Sequence, residues 1–325
     1  MQRLVNISTF SGDLDRFEQN RENMEIFLNK HSLDGFELLQ YEPWESHMIP
    51  GTMIKGVHMR YYPTWIDFWK GNKKKLLKQF KSEENIRIHY GGENRDHMVS
   101  YYKKEIENAE KTGAQYLVFH VSHVEVEHCF NHKFTYTDMD VVECTIELLN
   151  EIFHGYEGRL TLLLENLWWP GLTLKDTKIV EKLMSEIKYS NKGFMLDTAH
   201  LMNTNPYLQT EEEGVAYILK TIENLGPFKD YIQGIHLNSS LSGSYVLDQL
   251  QKSSHDNFSI DYSDFEKIFY HICNIDQHKP FLNVGINKVI DIIKPKYLVY
   301  EFITRSLEEM NRYISQQNEV LLGNA

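Results

Sequence analysis

The chain has 325 residues, of which 42% are hydrophobic and 13% aromatic, as is typical of one large globular domain. Its formal net charge of −12 and its pI near 5.7 provide no general basic field for nucleic acid, so a nucleic-acid partner would need a local basic groove. The three cysteines show no CxxC spacing, the N-terminus shows no signal pattern, and no apolar run is long enough to cross a bilayer. We therefore expect a cytoplasmic protein with no membrane partner.

Short apolar runs without helical periodicity alternate with amphipathic segments along the chain. The runs predict strands at residues 4–9, 35–40, 53–59, 116–123, 160–167, 193–197, 231–238 and 297–302. Helices are predicted between several of them, at residues 14–31, 98–112, 136–153 and 210–225, and a last one at about 304–318. This alternation predicts an α/β fold, a (β/α)8 TIM barrel that forms a single domain over residues 1–325.

One connection is longer than a barrel needs. Residues 61–95, after the third strand, are rich in aromatic residues and lysines, including Lys73, Lys74 and Lys75. We predict an elaborated loop or helical insertion on the strand-end face. Its aromatic and basic side chains suit either contact with a nucleotide or packing of a capping helix, and an acidic protein favours packing.

Each strand from the third to the eighth ends in an imidazole or a carboxylate. A carboxylate at the end of a buried strand is costly unless it is paired or binds a metal ion. Strand ends of a barrel converge on one face, and His, Asp and Glu are ligands of zinc and manganese. A single buried histidine is usually an ordinary hydrogen-bonded core residue. Six imidazoles and carboxylates at the ends of consecutive strands instead predict a metal site, formed by His58, His120, Glu165, Asp197, His236 and Glu301.

The ordered motifs resemble those of the xylose isomerase-like TIM-barrel superfamily, which includes sugar isomerases and epimerases and the endonuclease IV branch (AP endonuclease family 2). The resemblance extends to about residue 312. It rests on Phe119-His120-Val-Ser-His123, Leu164-Glu165-Asn166, Leu196-Asp197-Thr198-Ala-His200, His236-Leu-Asn238 and Tyr300-Glu301.

The sugar-isomerising branch implies one divalent ion bound by Glu165, Asp197, His236 and Glu301. The two glutamates would also move a proton between adjacent carbons while the ion polarises substrate oxygens, and His200 would orient a substrate hydroxyl. Our first interpretation is therefore a divalent-metal-dependent isomerase or epimerase, with zinc or manganese, acting on a small sugar or sugar phosphate.

The endonuclease IV branch implies further ions, giving one to three in total. His58 and His120 would hold a second ion that shares Glu165, while His200 and His255 would help to bind a third. The resemblance places the third-ion Asp-x-His motif at Ser253-Ser254-His255, where a carboxylate is missing unless Asp256 replaces it.

Three alternatives to the isomerase remain open at this point. The first is a two- or three-zinc phosphodiesterase of the endonuclease IV type, which the retained histidines favour. The second is a metal-binding barrel without catalytic turnover, and the third is redox chemistry with iron in the same ligands. Trp168 and Trp169, which follow Glu165, are predicted either to wall the pocket or to pack helices. The sequence decides neither the substrate nor the oligomeric state.

Overall fold

A computed structural model of the chain describes residues 1–40, 44–254 and 259–323. Eight parallel strands close into a barrel in sequence order, which confirms the predicted TIM barrel. The strands are β1 (Gln2–Ser8), β2 (Gly35–Leu39), β3 (Ile54–His58), β4 (Tyr116–His120), β5 (Thr161–Glu165), β6 (Lys192–Asp197), β7 (Ile232–Leu237) and β8 (Tyr297–Tyr300).

Helices cover the outside of the barrel and extend over its carboxyl-end face. Up to β6 they are α1 (Ser11–Asp15), α2 (Arg21–Lys30), α3 (Ile66–Trp69), α4 (Lys73–Phe80), α5 (Glu83–Tyr90), α6 (Arg95–Thr112), α7 (Val126–Asn131), α8 (Asp138–Ile152) and α9 (Thr177–Glu186). After β6 they are α10 (Thr198–Asn203), α11 (Glu211–Asn224), α12 (Gly243–Ser253), α13 (Phe265–Ile275), α14 (Asn287–Ile293) and α15 (Leu307–Leu322). Three short 3-10 helices lie at Gly51–Met53, Gly226–Tyr231 and Val284–Ile286. Over the described ranges, no helix combines the length and apolarity that crossing a bilayer requires.

Local signals explain where the helices begin and end. Helix α8 starts with a capping box in which Thr137 and Asp140 satisfy each other's backbone amides. The prediction of a single helix over residues 14–31 is wrong, because two helices, α1 and α2, form there. Glu18 and Gln19 adopt positive φ angles of 54° and 49° there, and Asn20 caps a new helix.

The insertion after β3 is helical, since α3, α4 and α5 lie within residues 61–95. Two of its lysines pair with acids of the same segment: Lys75 lies 3.7 Å from the buried Asp67, and Lys73 lies 2.7 Å from Glu83. His123 is buried, and its Nδ1 accepts hydrogen bonds from the backbone amides at the start of α3. These contacts indicate a packed structural element.

Helices α7, α12 and α13, which we call the cover, pack together beside the carboxyl-end face. Helix α7 lies in the connection after β4, and helices α12 and α13 lie in the connection after β7. His271 on α13 holds the three helices together: its ring stacks on Phe130 at 3.8 Å, and its Nε2 donates to the carbonyl of Cys129. Its Nδ1 lies 2.9 Å from the hydroxyl of Tyr245 on α12. The cover is therefore tied together by specific polar contacts as well as by apolar packing.

The barrel interior is filled by a cluster of buried side chains, which we call the interior layer and which comprises Leu4, Tyr116, Val118, Leu163, Met195, Tyr297 and Val299. The rings of Tyr116 and Tyr297 stand 4.2 Å apart across this layer. Gly56 on β3 makes room for them, because a Cβ atom at that position would lie 2.1 Å from the Tyr116 ring.

We expect Gly56→Ala to destabilise the protein by about 1–3 kcal/mol, because the added methyl group must displace a fully packed ring. Chemical denaturation should show the loss. Gly12→Ala is the matched control: its added Cβ meets only the exposed side chain of Phe10, which can move. Equal stability of the Gly56→Ala protein and the parent would contradict the packing argument.

Candidate metal centre

The strand ends place the predicted ligands next to one another. In the parallel register, His120 pairs with Glu165 and Asp197 pairs with His236. Glu301 follows directly after β8, and His58 is the last residue of β3. All six predicted strand-end residues therefore meet at one site, and Glu165, Asp197 and His236 are fully buried.

Glu165 is the centre of this arrangement. Its Oε2 atom lies 3.1 Å from the Nε2 atoms of both His58 and His120. Its Oε1 atom lies 3.1 Å from Nδ1 of His236 and 3.3 Å from Nδ1 of His200. One carboxylate therefore faces a different pair of imidazoles through each of its oxygens, as a bridging ligand would.

A second group of ligand atoms forms around the Nδ1 atom of His236. Glu301 Oε2 lies 3.1 Å from that nitrogen, and Asp197 Oδ2 lies 3.9 Å from it. The carboxylate of Asp197 caps α10 by accepting from the amide of His200, and its other oxygen accepts from the Asn238 side chain at 2.8 Å. With Glu165, these residues form the quartet predicted from the resemblance, and their ligand atoms lie within 4.8 Å of one another.

A third group contains two residues that sequence reasoning missed. Asp276 Oδ2 lies 3.1 Å from Nε2 of His200 and 2.6 Å from Nε2 of His278. Asp276 and His278 form an Asp-x-His motif further along the chain than Ser253, where the resemblance had placed it, and Asp276 provides a carboxylate beside His200. The predicted ligand His255 and its substitute Asp256 lie outside the described residues.

The structure also shows why this motif was misplaced. Helices α12 and α13 separate it from β7, so the Asp-x-His sequence does not follow the strand directly. An antiparallel bridge between Ser239 and Lys279 returns the chain to the end of β7, with backbone hydrogen bonds of 2.7 and 3.1 Å. This long-range pairing brings Asp276 and His278 back to the barrel mouth.

Most of the imidazoles are held in the orientation that metal ligation requires. The Nδ1 atoms of His58, His200 and His278 lie 2.9–3.0 Å from the backbone carbonyls of Met59, Asn166 and Glu301, respectively. When Nδ1 of a neutral imidazole donates to a carbonyl, the lone pair on Nε2 of the same ring faces the carboxylates. A hydrogen bond of this kind to a carbonyl is the usual outer contact of a ligating histidine. Asp276 Oδ1 is buried without a hydrogen-bond partner. The donor set therefore fits divalent metal ions.

The electrostatics of the site lead to the same conclusion. Burial lowers the pKa of His58, but its hydrogen bond to Glu165 and the charge of that residue outweigh burial and raise the pKa to about 9. Burial also opposes protonation of His278, yet Asp276 raises its pKa to about 10. Burial raises the pKa of Asp197 to about 8, against the charge of His200. In the metal-free site, the negative charge of the buried acids is therefore balanced by bound protons, on Asp197 itself or on the neighbouring imidazoles. Metal ions would take the place of those protons.

Two aromatic side chains border the ligands. The ring of Tyr61 lies 4.5 Å from that of His120, and the ring of Trp168 lies 5.1 Å from that of His200. Trp169 packs instead in an apolar cluster next to the cover. Of the two alternatives for the tryptophan pair, Trp168 therefore lies beside the site and Trp169 contributes to packing.

The class of protein defined by these features is a (β/α)8 barrel with a candidate metal centre at the carboxyl ends of its strands. The sequence pattern of the xylose isomerase-like TIM barrel family matches residues 34–288, and the chain belongs to that family. No curated protein sequence matches the chain significantly.

Solved structures share the fold. Endonuclease IV from Thermus thermophilus superposes with a TM-score of 0.54 at 15% identity, covering 100% of both chains. A 3-keto-D-glucoside 4-epimerase from E. coli gives 0.52 at 11% identity, covering 98% of both chains. The IOLI protein with a bound zinc atom gives 0.51 at 12% identity, covering 99% of this chain and 97% of that one. These likenesses show the fold.

We expect the metal-free protein to lose stability as the pH rises from about 6.5 to about 9. The folded-state pKa of His58 is raised from 6.5 to about 9, so within this interval the folded state binds more protons than the unfolded state, and stability falls with pH. The raised pKa of Asp197 acts in the same direction.

Thermal unfolding at several pH values, with chelator and with excess zinc, measures this dependence. Zinc should remove the decline because it replaces the bound protons. His58→Gln should make the metal-free dependence shallower. A melting temperature of the metal-free protein that rises over the same interval would contradict the charge arrangement described here.

Proposed function

We propose that this protein is a metal-dependent phosphoester hydrolase that uses three divalent ions. The observation that carries the proposal is the third ligand group, His200, Asp276 and His278, adjacent to the groups that share Glu165. The isomerase interpretation needs only the quartet around His236, and it provides no role for a third group of buried ligands.

The three ligand groups are linked to one another through shared residues. Glu165 links the His58 and His120 pair to the quartet, and His200 links Glu165 to Asp276 through its two ring nitrogens, at 3.3 and 3.1 Å. A phosphoryl group has several oxygens arranged tetrahedrally, so it can contact neighbouring ions at the same time. Sites with more than one closely spaced ion are typical of phosphatases and nucleases.

The residues of the chain have separate tasks in this proposal. Divalent ions held in the three groups would act as Lewis acids on phosphoryl oxygens and activate water as a nucleophile. Glu165 would be a ligand shared between the His58 and His120 pair and the quartet, while Asp197 stays oriented by Asn238 and the start of α10. Tyr61 and Trp168 would border the bound substrate and limit its contact with water.

Small phosphate esters are the substrate class that we favour. The net charge of −12 does not attract a long polyanion, and Lys73, Lys75 and Lys81 in the basic segment are paired with acidic side chains. The solved endonuclease IV shares the fold, so an oligonucleotide with an abasic site belongs in the same substrate panel.

Isomerisation or epimerisation of a sugar is the second candidate. The complete quartet of Glu165, Asp197, His236 and Glu301 favours it, because two carboxylates beside one ion can move a proton between neighbouring carbons. A metal-binding barrel without turnover and an iron-dependent redox enzyme remain predictions that gain no specific support from the site.

His278→Ala separates these candidates. We expect it to remove one ion per chain and to lower phosphoester hydrolysis by about two orders of magnitude or more, because a lost ion removes several kcal/mol of transition-state stabilisation. Elemental analysis should be combined with rates on a chromogenic phosphodiester, sugar phosphates and the abasic-site oligonucleotide.

The exposed His154, outside all three ligand groups, provides the control His154→Ala, which should retain both ions and rates. Turnover of sugars that survives His278→Ala but disappears in Glu301→Gln would replace hydrolysis with isomerisation. Metal-loaded protein that turns over neither class of substrate would overturn both candidates.

A further inference from the structure

We infer that Glu37, a buried acid inside the barrel, is a positioning residue that fixes the ring nitrogen through which His236 binds metal. Glu37 lies in the middle of β2 and is 1% exposed. Sequence reasoning assigned it no role, since it does not stand at a strand end. The inference depends on the metal centre in the proposed function but not on the reaction that the centre catalyses.

The contact that carries the inference crosses the barrel interior. Glu37 Oε1 and Oε2 lie 3.0 and 3.2 Å from Nε2 of His236, on the side of the ring opposite the metal ligands. The other ring nitrogen, Nδ1, faces Glu165 and Glu301, at 3.1 Å from each. His236 is therefore held between an acid beneath it and two acids above it.

The chemistry of a carboxylate determines which nitrogen carries the proton. A carboxylate only accepts hydrogen bonds, so Nε2 of His236 donates to Glu37 and leaves the lone pair of Nδ1 for a metal ion. Such an outer carboxylate also makes the ligating nitrogen more basic. His58, His200 and His278 use neutral backbone carbonyls for the same purpose, so His236 is the imidazole among these four whose outer partner is an acid.

The packing beneath Glu37 keeps its carboxylate in place. The hydroxyl of Tyr116 donates to Glu37 Oε2 at 2.7 Å, and the Tyr116 ring is held by Tyr297 and by the space that Gly56 leaves. Glu37 and Gly56 are register partners on β2 and β3. The interior layer of the barrel thus determines the orientation of a ligand at its mouth.

The test compares zinc affinity and cobalt absorption spectra in Glu37→Gln and in the parent. The amide carries no charge, so Nδ1 becomes a less basic ligand, and the NH2 group of the amide can also donate to Nε2 and favour the tautomer with a proton on Nδ1, which cannot bind metal through that atom. We expect zinc bound by the quartet to be weakened about 10–100-fold and the visible cobalt spectrum of that site to change. Measuring both also in a His120→Ala, His278→Ala background, which lacks the other two groups, assigns the change to the quartet.

Asp67→Asn is the matched control. Asp67 is also a fully buried acid that accepts from a tyrosine hydroxyl, Tyr136 at 2.6 Å, but it contacts no predicted ligand. Its substitution should leave zinc affinity and the cobalt spectrum unchanged. Equal affinity and spectra for Glu37→Gln and the parent would overturn the inference while leaving the metal centre intact, whereas a parent chain that binds no metal would overturn the proposed function itself.

Tyr116→Phe provides a second measurement if Glu37→Gln does not fold. It removes the hydroxyl that holds the Glu37 carboxylate beneath His236. We expect zinc bound by the quartet to be weakened by up to about tenfold, and the visible cobalt spectrum of that site to change. A folded Tyr116→Phe protein with the affinity and spectrum of the parent would contradict the inference.

Discussion

The carboxylate of Glu165 is fully buried at the end of β5, and an ionised group in that position costs several kcal/mol unless donors or cations surround it. Four imidazole nitrogens lie within 3.3 Å of its two oxygens. Because these imidazoles come from β3, β4, β7 and α10, the barrel must close correctly before the acid is satisfied. The rest of the site is arranged around that requirement.

A parallel barrel suits this task because all of its strands end at one face. The same geometry explains how the third ligand group forms. Asp276 and His278 belong to no strand, but the bridge between Ser239 and Lys279 attaches their segment to the end of β7. The helices inserted before it, α12 and α13, form most of the cover. The connection between β7 and β8 therefore supplies both Asp276 and His278 and most of the cover beside the site.

The chemistry of the centre depends on more than the identity of its ligands. The quartet around His236 alone is compatible with proton transfer in a sugar, and the addition of the other two groups favours a phosphoryl substrate. Outer contacts orient four of the five imidazoles, through backbone carbonyls for three of them and through Glu37 for His236. In the inference drawn above, metal affinity would be linked to the packing of Tyr116 and Tyr297 deep in the barrel.

The sequence by itself determined the barrel and the candidate ligands at its strand ends. Strands and helices follow from local apolar periodicity, and a His or an acid at the end of an apolar run is visible without a structure. His58, His120, Glu165, Asp197, His236 and Glu301 were predicted in this way, and they meet as expected.

Only the tertiary structure decided the partners that are distant in the chain. The acid Glu37 lies within a strand, and nothing near it in sequence reveals that it contacts His236, 199 residues later. Asp276 and His278 follow two inserted helices, and their position depends on a pairing between residues 239 and 279. These contacts arise from barrel closure and from the path of a long connection, which local sequence patterns do not encode.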